Sequence, residues 1–425
     1  MRDVGNPLAT ADTRALEARA IRVFHLPQVQ AGKAAIKEQW RFRIGDDMTA
    51  DGARCFDDFI DEYAFCYVLK AVNGDGNCPK VLTPIFAPPH DWMGLQVPGS
   101  RGGGSDSPDN SYSFMPIDYG PRYEISGRRH EPVPADTPYT LTDITFTKSL
   151  SHLDGPDLQV GPDGHFTITL DPEPANGRAN HIQTKPDCRY VFNRESRSDW
   201  RQVPAGHTIR RLDPPTAPPL SDSEIAERAL GMMGEGINPI YDIIKLWWSL
   251  APNVIASPRK TGDFGGFVSQ QFTMARLVLE DDEAFVVTIG HGGAGFRNFV
   301  AENFWLLTMD YWKITSSMNN SQGIPNADGL STTYVVSLQD PGIHNWIDPA
   351  GLRQVNLIHR WQRLPRNSAG CGEPYASGIL TKIGDLARHL PADMKCVTPQ
   401  ERATQLADRL ATYKLRFAWD ESPSQ

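Results

Sequence analysis

Residues 163–170 read Asp-Gly-His-Phe-Thr-Ile-Thr-Leu, and residues 328–336 read Asp-Gly-Leu-Ser-Thr-Thr-Tyr-Val-Val. Each run opens on a turn dipeptide and continues as alternating or β-branched residues, the pattern of a strand leaving a tight turn. Asn180 follows Asp163 by 17 residues, and Asn345 follows Asp328 by the same 17. Gly164, Thr167 and Ile182 have counterparts in Gly329, Thr332 and Ile347, and Arg194 and Arg360 follow with one residue of slip. Self-similarity held over such a span marks a duplicated structural unit. Each copy is a Gly turn, a strand, an Asn-bearing loop and a return strand carrying an Arg. A sheet with one apolar face must bury it against another layer, so the simplest architecture is two related β-sandwich units.

Working outward, residues 112–211 hold short alternating runs such as Tyr190-Val191-Phe192, bounded by Gly, Pro, Asp and Asn. The proline-rich stretch 213–219 is a stiff linker. Ser221 with Glu224 forms a capping box and starts a helix, which Gly231, Gly234 and Gly236 break before a second helix ends near Pro252. Strands resume at Gly265, with candidates at 272–279, 284–289, 334–338 and 355–359. Two helical stretches close the chain, the second opened by Thr398, Pro399 and Glu401 and burying Leu406, Leu410, Tyr413 and Phe417. Upstream, the apolar spacing over 51–72 predicts a helix, and the prolines and glycines of 73–111 predict a loop. The fold class expected is therefore mainly β with accessory helices. An N-terminal helical segment and loop (1–111) precedes a first sandwich (112–213). A linker with helices (214–262), a second sandwich (263–365) and C-terminal helices (366–425) complete the chain.

The 425 residues exceed one ordinary core and fit two lobes. A composition 40% hydrophobic and 22% charged is that of a packed globular protein, and a net charge of −9 argues against a nucleic-acid backbone as partner. No apolar core follows the first basic residue, so no signal peptide is expected. The greasiest window, 240–250, is too short to span a bilayer, which needs about 20 apolar residues. A cytoplasmic protein without a membrane partner is the expectation. The six cysteines stand without C-x-x-C spacing, which excludes zinc-ribbon and thioredoxin signatures and disfavours a disulfide framework.

The same segments resemble a bacterial family known only as domain of unknown function twelve-fourteen. The matching motifs are SPDNSYSFMPI (107–117), RYEISGR (122–128), the Asn180-His181-Ile182 loop with Arg194 downstream, Asp199-Trp200, EAFVV (283–287), SMNNSQ (317–322) and DPGIHNWIDPAG (340–351). Together they cover about residues 50–365. The resemblance implies a jelly-roll-like β protein and brings no catalytic residue with it. The family pattern has tryptophan where this chain has His181, which is either neutral or places a titratable group in a pocket.

No G-x-S-x-G elbow, Walker loop, H-E-x-x-H or Rossmann fingerprint is present, and no His-x-His pair of the cupin kind. No cofactor and no metal are therefore expected. Gly102-Gly103-Gly104 reads as a flexible loop, and His291-Gly292-Gly293 as a turn in preference to an oxyanion hole. Polar and aromatic residues concentrate in the second unit. His344 with Asp348, or Tyr311 with Asp310, can supply acid–base chemistry if their side chains converge. The candidate catalytic residues are His181, Tyr311, His344 and Asp348; the candidate substrate-binding residues are Asn180, Asp310, Trp312, Asn345, Trp346 and Arg360. The plain alternative is that Asp makes turns, Asn satisfies loop backbone, Trp fills the core and Arg covers a sheet face. The site is expected between the units, lined by His181, Asn345, His344, Tyr311 and Arg360. Two functions fit. One is a cofactor-independent lyase, hydratase, isomerase or hydrolase for a small hydrophobic or polyhydroxylated metabolite. The other is a non-catalytic module binding carbohydrate, lipid or protein. A small-molecule ligand is the expected partner, and a homo-oligomer is compatible with the composition.

Overall fold

The computed structural model describes residues 5–104, 106–143, 148–261, 270–365 and 370–418. Four helices open it: α1 (Ala11–Phe24), α2 (Pro27–Ile44), α3 (Ala50–Arg54) and α4 (Phe56–Val72). The one helix expected over 51–72 is thus two. The break at Cys55 has a local cause: the Gly52 carbonyl, which a continuous helix offers to its own next turn, accepts the Trp305 indole N–H at 2.8 Å. The loop expected over 73–111 contains a short hairpin, β1 (His90–Trp92) and β2 (Leu95–Val97). Met93 and Gly94 make its turn with φ of 51° and 72°, as a two-residue hairpin loop of this kind requires.

The first sandwich comprises β3 (Asn110–Pro116), β4 (Tyr123–Arg128), β5 (Tyr139–Thr142), β6 (Ser149–Leu153), β7 (His165–Asp171), β8 (His181–Gln183), β9 (Tyr190–Ser196) and β10 (Gly206–Arg211). Its sheets have the orders β3-β9-β5-β6 and β10-β4-β7-β8. Helix α5 (Asp222–Trp248) and two short strands, β11 (Val254–Ile255) and β12 (Arg259–Lys260), lead to the second sandwich. That unit comprises β13 (Gln271–Val278), β14 (Glu283–Gly290), β15 (Phe296–Glu302), β16 (Ser317–Asn319), β17 (Ser331–Ser337), β18 (Trp346–Ile347), β19 (Gln354–Gln362) and β20 (Tyr375–Lys382). Its sheets run β13-β19-β15-β16, with β11 and β12 beside β13, and β20-β14-β17-β18. The eight strands of one unit map in order onto the eight of the other, position for position in both sheets. Even the parallel pair recurs, β7 with β8 and β17 with β18. The repeat read from spacing is a repeat of topology.

Each sandwich has its own core. Ile125, Phe166, Ile168 and Val191 meet in the first, and Phe285, Val287, Phe299 and Leu357 in the second. The alternate residues of β3, β9, β13 and β19 point the other way, toward a helical layer. Tyr112, Phe114, Phe192, Phe272 and Ile358 join side chains of α1, α2, α4 and α5 in one larger apolar cluster. These strands are consequently buried on both faces, which explains their nearly unbroken burial.

Three further expectations change. Helix α5 runs unbroken through Gly231, Gly234, Gly236 and Pro239. Glycine in a helix loses about 1 kcal/mol against alanine, less than burying Ile237, Ile240, Ile244 and Trp247 returns. The chain beyond 365 is not all helical: β20 adds to β14 as an edge strand, so the second unit extends to Lys382, followed by a 3-10 segment at Ile383–Arg388. The final helix, α6 (Pro399–Lys414), has the expected Thr398–Glu401 capping box. Of the four residues expected to be buried there, Tyr413 is, Leu406 and Phe417 are half-buried and Leu410 is exposed, and the buried stripe also takes Arg402, Arg409, Thr412 and, just beyond the helix, Arg416. Arginine fills a heptad stripe here because the facing surface offers acceptors: Asp340, the Ser317 hydroxyl and the carbonyls of Tyr311 and Pro108. The expected strand start at Gly265 lies outside the described residues. Among those residues no helix is long and apolar enough to cross a membrane.

Candidate functional site

The two units are joined by a buried polar seam. Asp109 accepts hydrogen bonds from Trp200 Nε1 (2.7 Å), Asn319 Nδ2 (2.8 Å) and Asn298 Nδ2 (2.9 Å), and Asn298 also donates to Ser107 Oγ at 2.9 Å. The segments 107–117 and 317–322 singled out in the sequence meet here, so their polar residues hold unit to unit. Asp106 lies on the same seam, accepting from Thr308 N (3.0 Å) and Oγ1 (2.6 Å), and burial pushes its carboxyl up to about 6.

Beside this seam lies a cavity of about 220 Å³, floored by β3, β9, β13 and β19 and roofed by α5. In the first unit Tyr112 on β3 pairs across the sheet with Arg194 on β9. In the second, Phe272 on β13 pairs with Arg360 on β19. These four positions are equivalent under the repeat, and all four line the cavity. Asn110 and Gln270, equivalent to each other, extend the polar wall; Phe86, Phe192, Ile358, Ile243 and Trp247 make the apolar one. Tyr112 stacks on Phe192 at 5.5 Å, and Phe86 meets Tyr112 edge-on, also at 5.5 Å. Phe86 holds φ of 57°, an unfavourable region for an aromatic residue, which the rings packed on it maintain.

Arg360 stands 3.6 Å from the buried Glu302 carboxylate and donates to the Asp106 carbonyl at 3.3 Å. Arg194 lies over the Phe192 ring, 4.5 Å from guanidinium carbon to centroid. Burial and the neighbouring Arg360 cation together push the Arg194 guanidinium down to about 10, which leaves it charged at neutral pH. Asn110 Nδ2 donates to Tyr112 Oη at 3.0 Å, while its Oδ1, buried, has no partner among the described residues. Gln270 is held between Gln362 (2.7 Å) and Thr261 (3.1 Å).

Of the ten candidate residues, Arg360 lines this cavity. The other nine are placed elsewhere. Asn180 and Asn345 each bridge a backbone amide and carbonyl of one loop residue, Gln159 and Ile324 respectively, at 2.8–2.9 Å. His181, at the edge of the first unit, contacts Thr169 Oγ1 and the Glu173 carbonyl, both at 2.9 Å. Tyr311 is buried against Trp200 and Tyr413 with its hydroxyl accepting from Arg416 at 2.9 Å; Asp310 pairs with Lys313 at 2.8 Å. Trp312 stacks on Tyr413 at 5.1 Å, and Trp346 donates to the Ser337 carbonyl at 3.0 Å. Asp348 accepts from Ala350 N at 2.8 Å, a turn contact, and burial raises its carboxyl. His344 contacts the Gln322 carbonyl at 3.1 Å, in a second groove of about 390 Å³ between α6 and the seam. The four candidate catalytic side chains are thus not assembled in one place. His291 contacts Thr332 Oγ1 at 2.8 Å, and Gly292 and Gly293 turn the chain there with φ of 57° and 71°. Among the described residues no three His, Cys, Asp or Glu side chains come together as metal ligands.

Arg194, Tyr112, Phe272 and Trp247 were absent from the sequence-derived site. The signal for Arg194 was present, since it is the repeat counterpart of Arg360. The others meet only through strand pairing and the docking of α5.

No family model and no curated protein sequence matches this chain. Among solved structures, an uncharacterised protein from Burkholderia cenocepacia aligns with a TM-score of 0.69 and 22% identity, over 86% of this chain and 99% of its own. The VPA0106 protein from Vibrio parahaemolyticus aligns with a TM-score of 0.41 and 9% identity, over 76% and 98%. The chain therefore has a fold already seen in an uncharacterised bacterial protein.

Proposed function

We propose that this protein is a binding module that holds a small, partly apolar molecule in the cavity between its two sandwiches. The observation that carries the reading is the meeting of repeat-equivalent Tyr112–Arg194 and Phe272–Arg360 pairs around one cavity. Aromatic walls with a few fixed polar groups are the usual composition of a small-ligand site, and about 220 Å³ suits a small metabolite and not a polymer. Among the described residues the lining contains no His, Cys, Asp or Glu. That favours binding over the lyase, hydratase, isomerase or hydrolase chemistry that also fitted the sequence, which calls for a general acid or base within reach of the substrate. We also propose membership of the domain of unknown function twelve-fourteen family, supported by the way its motif segments at 107–117 and 317–322 join at the seam.

The test is ligand-observed NMR with a fragment library, comparing wild type with Ile243→Trp. Ile243 is on the roof and 38% exposed, so a larger side chain enters the cavity mouth without overpacking the core. Loss of the wild-type binders at unchanged Tm is expected. Binders that survive the substitution unaltered place the site elsewhere.

A further inference from the structure

Where α6 meets the seam, three guanidinium groups surround the Trp200–Tyr311–Tyr413 aromatic cluster, away from the cavity. Arg409 lies over the Trp200 ring at 4.7 Å and donates to the Tyr311 carbonyl and to Ser317 Oγ, the latter at 2.7 Å. Arg416 donates to Tyr311 Oη at 2.9 Å and to the Pro108 carbonyl. Arg197, just past the end of β9, is 2% exposed. Its backbone N–H donates to the Asp109 carbonyl at 2.9 Å, yet its side-chain Nε and Nη2 are buried with no partner among the described residues. Arg363 stands three residues beyond Arg360, as Arg197 does beyond Arg194, and it is exposed, donating to the Ala135 carbonyl at 2.8 Å. A buried guanidinium at this position is therefore no requirement of the sandwich topology.

Nε and Nη2 carry the two parallel N–H groups on one edge of the guanidinium, the edge that takes an anion with two hydrogen bonds. Elsewhere in this chain it does so. Nε and Nη2 of Arg402 reach the two carboxylate oxygens of Asp340 at 2.9 and 3.1 Å, and those of Arg101 reach Glu62. Among the described residues no carboxylate does this for Arg197. Asp109 acts on it from farther off, its oxygens taken up by Trp200, Asn319 and Asn298. Glu195 accepts from Ala205 N, and burial pushes its carboxyl up to about 8, which leaves it mostly uncharged at neutral pH. Glu62 and Asp106 face Arg101. The charged neighbour with the largest effect on Arg197 is Arg416, a cation. A buried cation with two unmade hydrogen bonds is strongly unfavourable, and a group in the interior answers for it. Water satisfies the N–H groups and leaves the like charges facing each other; an anion meets both needs. We infer that the seam binds a small inorganic monoanion, of chloride or nitrate size, on the Nε–Nη2 edge of Arg197. The enclosure of Arg197 rules out a larger organic acid. The groove between α6 and the seam, which Trp200 and Arg409 line, brings solvent to the same cluster.

The test is the urea midpoint of the full chain as sodium gluconate is replaced by sodium chloride or sodium nitrate at constant ionic strength, with chloride NMR line broadening alongside. Chloride and nitrate are expected to raise the midpoint saturably, gluconate being too large to enter, and the protein is expected to broaden the chloride line. Arg197→Met, an apolar chain of similar length in apolar surroundings, is expected to fold and to lose both effects. Crystals grown in bromide give a reading that needs no variant: an anomalous peak within hydrogen-bond distance of Arg197 Nε and Nη2. Equal midpoints in chloride and gluconate overturn the inference, as does the same anion response in Arg197→Met. A water at the Arg197 edge in place of bromide overturns it too, and decides the matter if Arg197→Met does not fold.

Discussion

Asn345 and Asn180 are repeat equivalents that do one job in different surroundings, so replacing each tests the structural reasoning quantitatively. Asn345 is 2% exposed and makes three side-chain hydrogen bonds, from Ile324 N and to the carbonyls of Ile324 and Thr333, at 2.8–3.0 Å. Asn345→Ala removes three backbone hydrogen bonds, the one to the Thr333 carbonyl fully buried, each worth about 1 kcal/mol net, so a loss of roughly 3 kcal/mol is expected. Asn180 bridges Gln159 N and O but is half-exposed, and water can replace those bonds. It also holds φ of 49°, where alanine is strained by about 1–2 kcal/mol and glycine is not. Asn180→Ala should therefore lose about 2 kcal/mol and Asn180→Gly about 1 kcal/mol, two thirds and one third of the Asn345→Ala effect. Calorimetry reads the order, and an unfolding entropy of ~2.1 cal/mol/K per residue sets the scale. If all 425 residues melt together the shift is only ~1 °C per kcal/mol, but ~5 °C if a unit of about 100 residues melts alone. A two-step thermogram with each substitution moving a different step shows separately melting units. Should Asn345→Ala cost under ~0.5 kcal/mol, below a single hydrogen bond, the clamp is not what holds β18 beside β17.

Two other outcomes follow from packing and burial. Gly236→Ala is expected to destabilise, because its new methyl overlaps the Tyr67 and Tyr63 hydroxyls where α5 crosses α4, whereas Gly231→Ala and Gly234→Ala, which meet open space, should each stabilise by up to ~1 kcal/mol; urea midpoints separate them, and three equal responses refute the close-approach argument. Glu195 is wholly buried, receives Ala205 N at 2.9 Å, and burial pushes its carboxyl up to about 8. The folded state then keeps a proton that the unfolded chain releases near pH 4.5, so this group's contribution to stability falls as pH rises from about 4.5 through 8. Glu195→Gln should flatten the wild-type decline in urea midpoint over that range, and parallel pH profiles for the two proteins sink the assignment.

What could be read from residue order depended on whether the deciding contacts were local. Period-two alternation placed β7, β14 and β19, and a 17-residue spacing revealed the duplication, because turn, strand and loop are fixed by neighbours in sequence. β20 escaped because an edge strand with five of its eight residues exposed carries little alternation; the ladder of β14 recruits it. α5 was cut at its glycines because their local penalty is visible in sequence and the tertiary burial that outweighs it is not. The arginine stripe of α6 reads as solvent-facing until its acceptors are in place. In the site, the Asp and Asn of each repeat attracted attention through their spacing, and that spacing reflects the needs of a turn and a loop clamp. The cavity residues are about 80 positions apart within a unit and about 160 between units, so no local pattern joins them.

The duplication itself separates residues that fold the unit from residues that serve something else. Asp163 and Asp328 each accept a backbone N–H two residues on, and Asn180 and Asn345 each clamp a loop; every sandwich of this topology needs those contacts, and both copies retain them. Arg194 and Arg360 are also retained in both copies, Arg360 beside the buried Glu302 and the Asp106 carbonyl and Arg194 over the Phe192 ring. They sit on the faces of β9 and β19 that turn away from their own cores, where a side chain such as Leu or Met would bury without desolvating a charge. Tyr190 and Phe192 on that face of β9, and Ile358 on that of β19, join the apolar cluster that continues into the helices. Against that background a charge in each copy, converging on one cavity, runs counter to what folding favours. Departures of this kind from local consistency are where function is to be sought. Here the departure is twofold and borders a single cavity, which sets the arginine pair apart from the His, Asp and Trp candidates, scattered over separate parts of the fold.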